Sequence, residues 1–171
     1  MRMNRIWSMP NRETFSIRPI KNLIDSYVKE EGYKWVDPFA RDSTICEHTN
    51  DLNPNTKAQT HMCALEYLKR FSCSSMKGIL FDPPYSLRQI KECYDGIGRS
   101  LTHHETKHFY SDIRKQIARI VEVGGIVISF GWSSVGIGAY ADRGFEIIEI
   151  LLVSHGGNHN DTICTVQRRV F

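Results

Sequence analysis

A chain of 171 residues with 22 Lys and Arg against 19 Asp and Glu carries a formal charge of only +3, so bulk charge does not mark it as a polyanion binder. A hydrophobic share of 41% and a charged share of 24% fit one soluble globular domain, 1–171, with no separate target-recognition domain. Cys46, Cys63, Cys73, Cys93 and Cys164 form no CxxC pair, residues 1–10 lack a signal-peptide core, and no apolar run is long enough to span a bilayer; zinc ribbons, disulfide frameworks and membrane partners are thereby excluded, and a cytoplasmic location is expected.

In chain order, Ile20, Leu23, Ile24, Tyr27 and Val28 recur at helical spacing between Pro19 and Gly32 and predict an amphipathic helix. Residues 36–39 read as the end of a first strand and 46–51 as a second, with Asn53-Pro54-Asn55 turning the chain. Residues 64–71 read as a helix, and 59–63 as either a third strand or that helix's first turns. Gly78-Ile79-Leu80-Phe81, running into Asp82, is a fully buried strand, and 87–123 is helical, with Ile113, Ile117, Ile120 and Val121 as its apolar stripe and Gly124-Gly125 as its stop. Residues 126–130 predict another buried strand, 135–143 a short helix, and 145–153 with 162–170 a strand pair joined by a polar loop. This alternation predicts an α/β three-layer sandwich whose mostly parallel sheet has an antiparallel edge.

Asp82-Pro83-Pro84-Tyr85 lies at a strand's carboxyl end, where open α/β sheets bind ligands. The prolines stiffen the backbone and remove two amide donors. Asp82 and the Pro83 carbonyl are suited to accept the two hydrogens of an exocyclic amine while Tyr85 stacks on its ring, which points to amine methylation. Asp37, in Trp35-Val36-Asp37-Pro38-Phe39-Ala40, repeats the theme after the first strand, and Asp51, in Asn50-Asp51-Leu52-Asn53-Pro54, repeats it after the second. A carboxylate at Asp51 suits two ribose hydroxyls.

These segments resemble the motifs of S-adenosylmethionine-dependent DNA adenine-N6 methyltransferases: 35–40 motif I, 50–54 motif II, Asp82 to Tyr85 motif IV, and Thr14-Phe15-Ser16-Ile17-Arg18-Pro19-Ile20 motif X. Residues 156–162 are similar to a loop and strand of compact, phage-type members. The resemblance implies a Rossmann-like class I methyltransferase fold and S-adenosylmethionine as cofactor. It further implies that Asp37, Phe39 and Ala40 shape the methionine side, that Asp51 with Asn53 holds the ribose, and that Phe15, Ile17 and Asp82 complete the cofactor's surroundings. Two departures stand out: Ala40-Arg41-Asp42 follows where motif I continues in glycines, removing the close backbone approach that glycine allows, and Cys63 stands where an acid would read the cofactor's adenine amine.

The partner so implied is double-stranded DNA with a flipped adenine, methylated by direct in-line transfer, with a homodimer or a recognition subunit supplying what a missing recognition domain would. Arg88 and Lys91, with the loop bearing His155, Asn158 and Asn160, are the expected backbone contacts. His104 and His108 lack a third ligand, so no metal is assigned. Trp7, Phe109, Phe130 and Trp132 read as packing. An RNA adenine or guanine amino-methyltransferase and a catalytically weak nucleic-acid-binding subunit are the alternatives.

Overall fold

Residues 76–81 alternate so that Ile79 and Phe81 face one side of the sheet and Leu80 the other, all three essentially without solvent exposure, which is why this strand lies near the centre. The computed structural model describes residues 1–138 and 144–171. Its elements are β1 (Arg2–Trp7), α1 (Arg18–Tyr27), β2 (Trp35–Asp37), β3 (His48–Thr49), α2 (Ala64–Lys69), β4 (Met76–Phe81), α3 (Leu87–Asp95), α4 (His103–Ile120), β5 (Val121–Gly131), β6 (Phe145–Ser154) and β7 (Thr162–Arg169). They form one sheet in the order β1-β6-β7-β5-β4-β2-β3, parallel throughout except for β7. The antiparallel strand is therefore the C-terminal one, as expected, but it sits between β6 and β5 instead of at an edge.

Two cores make the three layers. On one face Val36, Ile79, Phe81 and Val127 meet Leu68 of α2, Ile90 of α3 and the α4 stripe Phe109, Ile113, Ile117 and Ile120. On the other, Ile20, Leu23 and Ile24 of α1 meet Trp35, Leu80, Ile128, Leu151 and Val153. Each fully buried isoleucine contributes roughly 1.5–3 kcal/mol through area removed from water.

Several elements differ from the sequence expectations. β1 was not anticipated, because all six of its residues are exposed and it joins β6 by backbone pairing and polar side-chain contacts, with no buried apolar residue of its own. The long helix is two: Thr102 and Glu105 form a capping box that starts α4 afresh. Gly124-Gly125 does not end it, since α4 runs directly into β5 at Val121. Met76 pairs with Val121 and Gly78 with Ile126, so residues 122–125 bulge outward, with Gly124 at φ +85° where other residues would be strained. Thr60 makes one parallel bridge to Asn50, all that remains of a third strand in 59–63. The expected helix over 135–143 lies partly outside the described residues, and 135–137 is a turn.

Candidate active site

Asp37 ends β2 fully buried. Its Oδ1 accepts the Phe39 amide at 3.0 Å, and its Oδ2, equally buried, has no partner among the described residues. Burial pushes this carboxyl well above the usual range; the Phe39 amide draws it partly back, and the negative fields of Asp82 and Asp51 raise it again. Just beyond β3, Asn50 is also fully buried but satisfied at both ends: Nδ2 donates to the Pro38 and Met62 carbonyls at 3.2 and 3.0 Å, and Oδ1 accepts from Thr60 Oγ1 and the Met62 amide at 2.9 and 3.1 Å. That amide fixes the loop after β2 against the loop after β3. Asp51, the next residue, accepts the Asn53 amide on Oδ1 and the Arg41 amide on Oδ2, both at 2.9 Å.

Arg41, the middle residue of the Ala40-Arg41-Asp42 segment that stands where motif I continues in glycines, adopts the left-handed backbone that glycine takes freely, at φ +51°. Its guanidinium pairs with Glu13 at 3.0 Å and donates to the Arg12 carbonyl at 2.8 Å, tying the segment before α1 to the loop after β2.

The segment after β4 is locked from several sides. Ser86 caps α3 by accepting the Gln89 amide at 3.2 Å, and the Gln89 side chain in turn accepts the Tyr85 amide at 2.7 Å. Tyr110 on α4 donates to the Pro84 carbonyl. The Tyr85 hydroxyl donates to Asp82 Oδ1 at 2.6 Å. Burial raises the Asp82 carboxyl above its ordinary range, opposed by hydrogen bonds from Tyr85 and Thr14 and by the field of Arg41, and Tyr85 is itself pushed up by burial and by Asp82.

These residues surround one cavity of about 750 Å³, whose wall includes Phe39, Asp51, Asn53 and Asp82 to Tyr85 together with Arg12, Thr14 and Arg41. Asp37 lies beneath the wall, next to the lining residues Pro38 and Phe39. Ala40 is buried and gives its amide to the Asn50 carbonyl at 2.8 Å. Phe15 stacks against Phe130 with ring centroids 5.0 Å apart, and Ile17 is buried in the core under α1, so neither is in the cavity wall. Cys63 accepts the Tyr94 hydroxyl at 3.0 Å, behind the wall that Tyr94 helps to form.

Arg88 and Lys91 are exposed on α3, with Arg88 paired to Glu92 at 2.7 Å. Asn158 and Asn160 are exposed, whereas His155 is not: it is buried, with Nδ1 2.8 Å from the Ser8 carbonyl and Nε2 2.9 Å from Thr162 Oγ1. Both ring nitrogens being engaged, His155 fastens the end of β1 and is not presented to a phosphate. Of the aromatics read as core or rim packing, Trp132 and Trp7 lie at the rim: both are exposed, and the Trp132 ring meets Tyr85 edge-on at 5.5 Å. Arg12 and Gln89 were not singled out in the sequence, and Thr14, Arg41 and Trp132 were named there without this place at the site.

No protein-family model and no curated protein matches the sequence. Solved structures do. TrmN from Thermus thermophilus superposes with a TM-score of 0.60 at 17% identity, over 90% of this chain and 49% of its own. The PH0226 protein from Pyrococcus horikoshii OT3 gives 0.54 at 12%, over 89% and 88%. The N-methyltransferase NodS from Bradyrhizobium japonicum WM9, in complex with S-adenosyl-L-homocysteine, gives 0.51 at 9%, over 88% and 87%. The fold is that of the class I methyltransferases. The chain spans about half the length of the TrmN structure. In this methyltransferase fold the cavity lies at the carboxyl ends of β2, β3 and β4, where the sequence places its three strand-end aspartates.

Proposed function

We propose that this chain is an S-adenosylmethionine-dependent methyltransferase acting on the exocyclic N6 amine of adenine in DNA. The observation that carries the reading is the convergence of Asp37, Asp51 and Asp82 from three neighbouring strand ends on one 750 Å³ cavity, next to a proline-stiffened Asp82 to Tyr85 loop. Asp51, Asp82 and Glu92 in the lining, with Asp37 beneath it, outnumber Arg12 and Arg41 and favour a cationic ligand, and S-adenosylmethionine carries both a sulfonium and an ammonium. The buried, unpartnered Asp37 Oδ2 needs a donor or a positive charge nearby, and such a cofactor fits that need. The cavity lies within the range of small-molecule sites, roughly 300–1,000 Å³.

When bound, the cofactor supplies an electrophilic methyl group. The protein's part is to make a poor nucleophile competent. Asp82 and the Pro83 carbonyl accept the two amine hydrogens, turning the nitrogen lone pair out of conjugation with the ring. Transfer of the methyl group to that nitrogen would leave the cofactor as its neutral thioether, with the broken bond's electron pair on sulfur. The nitrogen must then lose a proton, and the Asp82 carboxyl, already raised by burial, is placed to receive it or pass it to water. Tyr85 and the exposed Trp132 flank the place where a flipped base would enter.

Calorimetric titration with S-adenosylhomocysteine tests the cofactor stage of this reading. Single-site binding is expected, and absence of heat at millimolar ligand would overturn it.

A further inference from the structure

A second depression, of about 650 Å³, lies between β1 and α1, well away from the aspartates. Its floor is Arg2, Asn4 and Ile6 of β1 with Glu149 and Leu151 of β6, and its wall is Arg18, Asn22 and Ser26, one i, i+4 stripe of α1. Arg5 and Trp7 complete it. The lining thus holds three arginines and one carboxylate, Glu149, which is buried, accepts the Tyr27 hydroxyl at 2.6 Å and lies 3.8 Å from Arg2, while Arg5 donates to Ser154 Oγ at 3.3 Å. The groove is net positive in a protein that is otherwise close to neutral.

Its position follows from the topology. β1 is parallel to β6, so Trp7 emerges at the same carboxyl edge of the sheet as Asp82. The indole, 61% exposed, lies beside Gly156, where a side-chain carbon would come within 3.3 Å of its nitrogen. Along that edge run the active-site cavity, exposed Trp132, the loop with exposed Asn158 and Asn160, and then Trp7, from which the groove runs back along β1 past Arg5 to Arg2. α1 starts here too, only four residues after Thr14, which lines the cavity.

We propose that the β1–α1 groove is the backbone-binding track for the DNA whose base enters the cavity, with Arg2, Arg5 and Arg18 meeting phosphates and Trp7 an adjoining sugar or base; this rests on the function proposed above. The charge complementarity is local. Phosphate contacts of this kind position a nucleic acid without reading its sequence.

The test is fluorescence anisotropy of a labelled, unmethylated DNA duplex across a salt series, with wild type, the triple variant Arg2→Gln/Arg5→Gln/Arg18→Gln, and Arg18→Glu alone. The single variant guards against misfolding, because Arg18 is exposed at the first turn of α1, where an acidic residue suits the helix dipole. Affinity of the triple variant should fall tenfold or more at about 0.1 M salt, with the slope of log affinity against log salt smaller by about 0.9 per lost contact. Arg18→Glu should show a smaller loss in the same direction. S-adenosylhomocysteine affinity, measured in parallel, should not change in either variant. Unchanged DNA affinity and slope in both variants, or a loss confined to Arg88→Gln/Lys91→Gln, would overturn the assignment. Wild type that binds the cofactor product but no DNA would overturn the groove while leaving the cofactor site; wild type that binds neither would remove the underlying reading as well.

Discussion

The two ends of the sheet's carboxyl edge carry opposite charge. At the β2-β3-β4 end, Asp51 and Asp82 line a cavity with Asp37 buried beneath its wall, where Arg12 and Arg41 offset part of the negative charge, whereas at the β1 end Arg2, Arg5 and Arg18 line a groove with one carboxylate, Glu149. A net charge of +3 averages these fields and hides both. The contrast suits a cationic small molecule at one end and a polyanion at the other. It also separates their physics: the cavity's interactions are short-range and desolvated, and the groove's are exposed and screened by salt.

The contrast can be broken most severely at Asp82. Asp82→Ala should lower methyl transfer by at least about a hundredfold, the scale set by removing one preorganised transition-state hydrogen-bonding group, while S-adenosylhomocysteine binds nearly as in wild type. Single-turnover kinetics with parallel calorimetry check this, and robust turnover by the variant would remove Asp82 from the chemistry.

Asp37→Asn comes next. Loss of a charged interaction should weaken cofactor binding by about 1.5–3 kcal/mol, roughly ten- to hundredfold. Stability should respond to pH in a defined direction. Because folding raises the Asp37 carboxyl, its favourable contribution is full below the ordinary carboxylate range and is lost as pH rises through the raised folded value. The melting-temperature difference between variant and wild type should therefore move in the variant's favour from acid to neutral pH. A difference independent of pH would mean that Asp37 is not held as a raised carboxyl.

Asp51→Ala should weaken cofactor binding by a similar 1.5–3 kcal/mol or so without altering DNA affinity or its salt slope, which keeps the two ends separable. Should DNA affinity fall equally, the ends would not be independent.

The smallest effect is expected at Tyr85. Tyr85→Phe keeps the ring beside Trp132 but removes the hydroxyl that donates to Asp82, so transfer above the acid limb should stay within a few-fold of wild type. That hydroxyl holds the Asp82 carboxyl down, so its loss should shift the acid limb of the pH–rate profile to higher pH. A limb at unchanged pH would show that Asp82 does not set it.

What could be read from the sequence was whatever left a local pattern. β4 and β5 announced themselves as apolar runs, the α4 stripe by its spacing, and the three aspartates by following strands. The Thr102…Glu105 capping box was equally visible and would have divided the long helix. β1 left no pattern because none of its side chains is buried; its place is set by pairing with β6, some 147 positions away in sequence. The basic groove was invisible for the same reason, since Arg2 and Arg5 acquire meaning only once β1 lies beside α1. His155 read as a loop residue, yet the arrival of the Ser8 carbonyl from the end of β1 turns it into a buried tie. Ala40-Arg41-Asp42 read as a loss of glycines, but the chain holds a glycine-like φ at Arg41, whose side chain finds Glu13 and Arg12.

The most direct measurement is nucleoside mass spectrometry after incubating the protein with S-adenosylmethionine carrying a deuterated methyl group and unmethylated duplex DNA, with RNA in a parallel reaction. The account predicts label on N6-methyldeoxyadenosine from the DNA. Label on a ring carbon, label confined to RNA, or no labelled nucleoside from a protein that binds S-adenosylhomocysteine would contradict it.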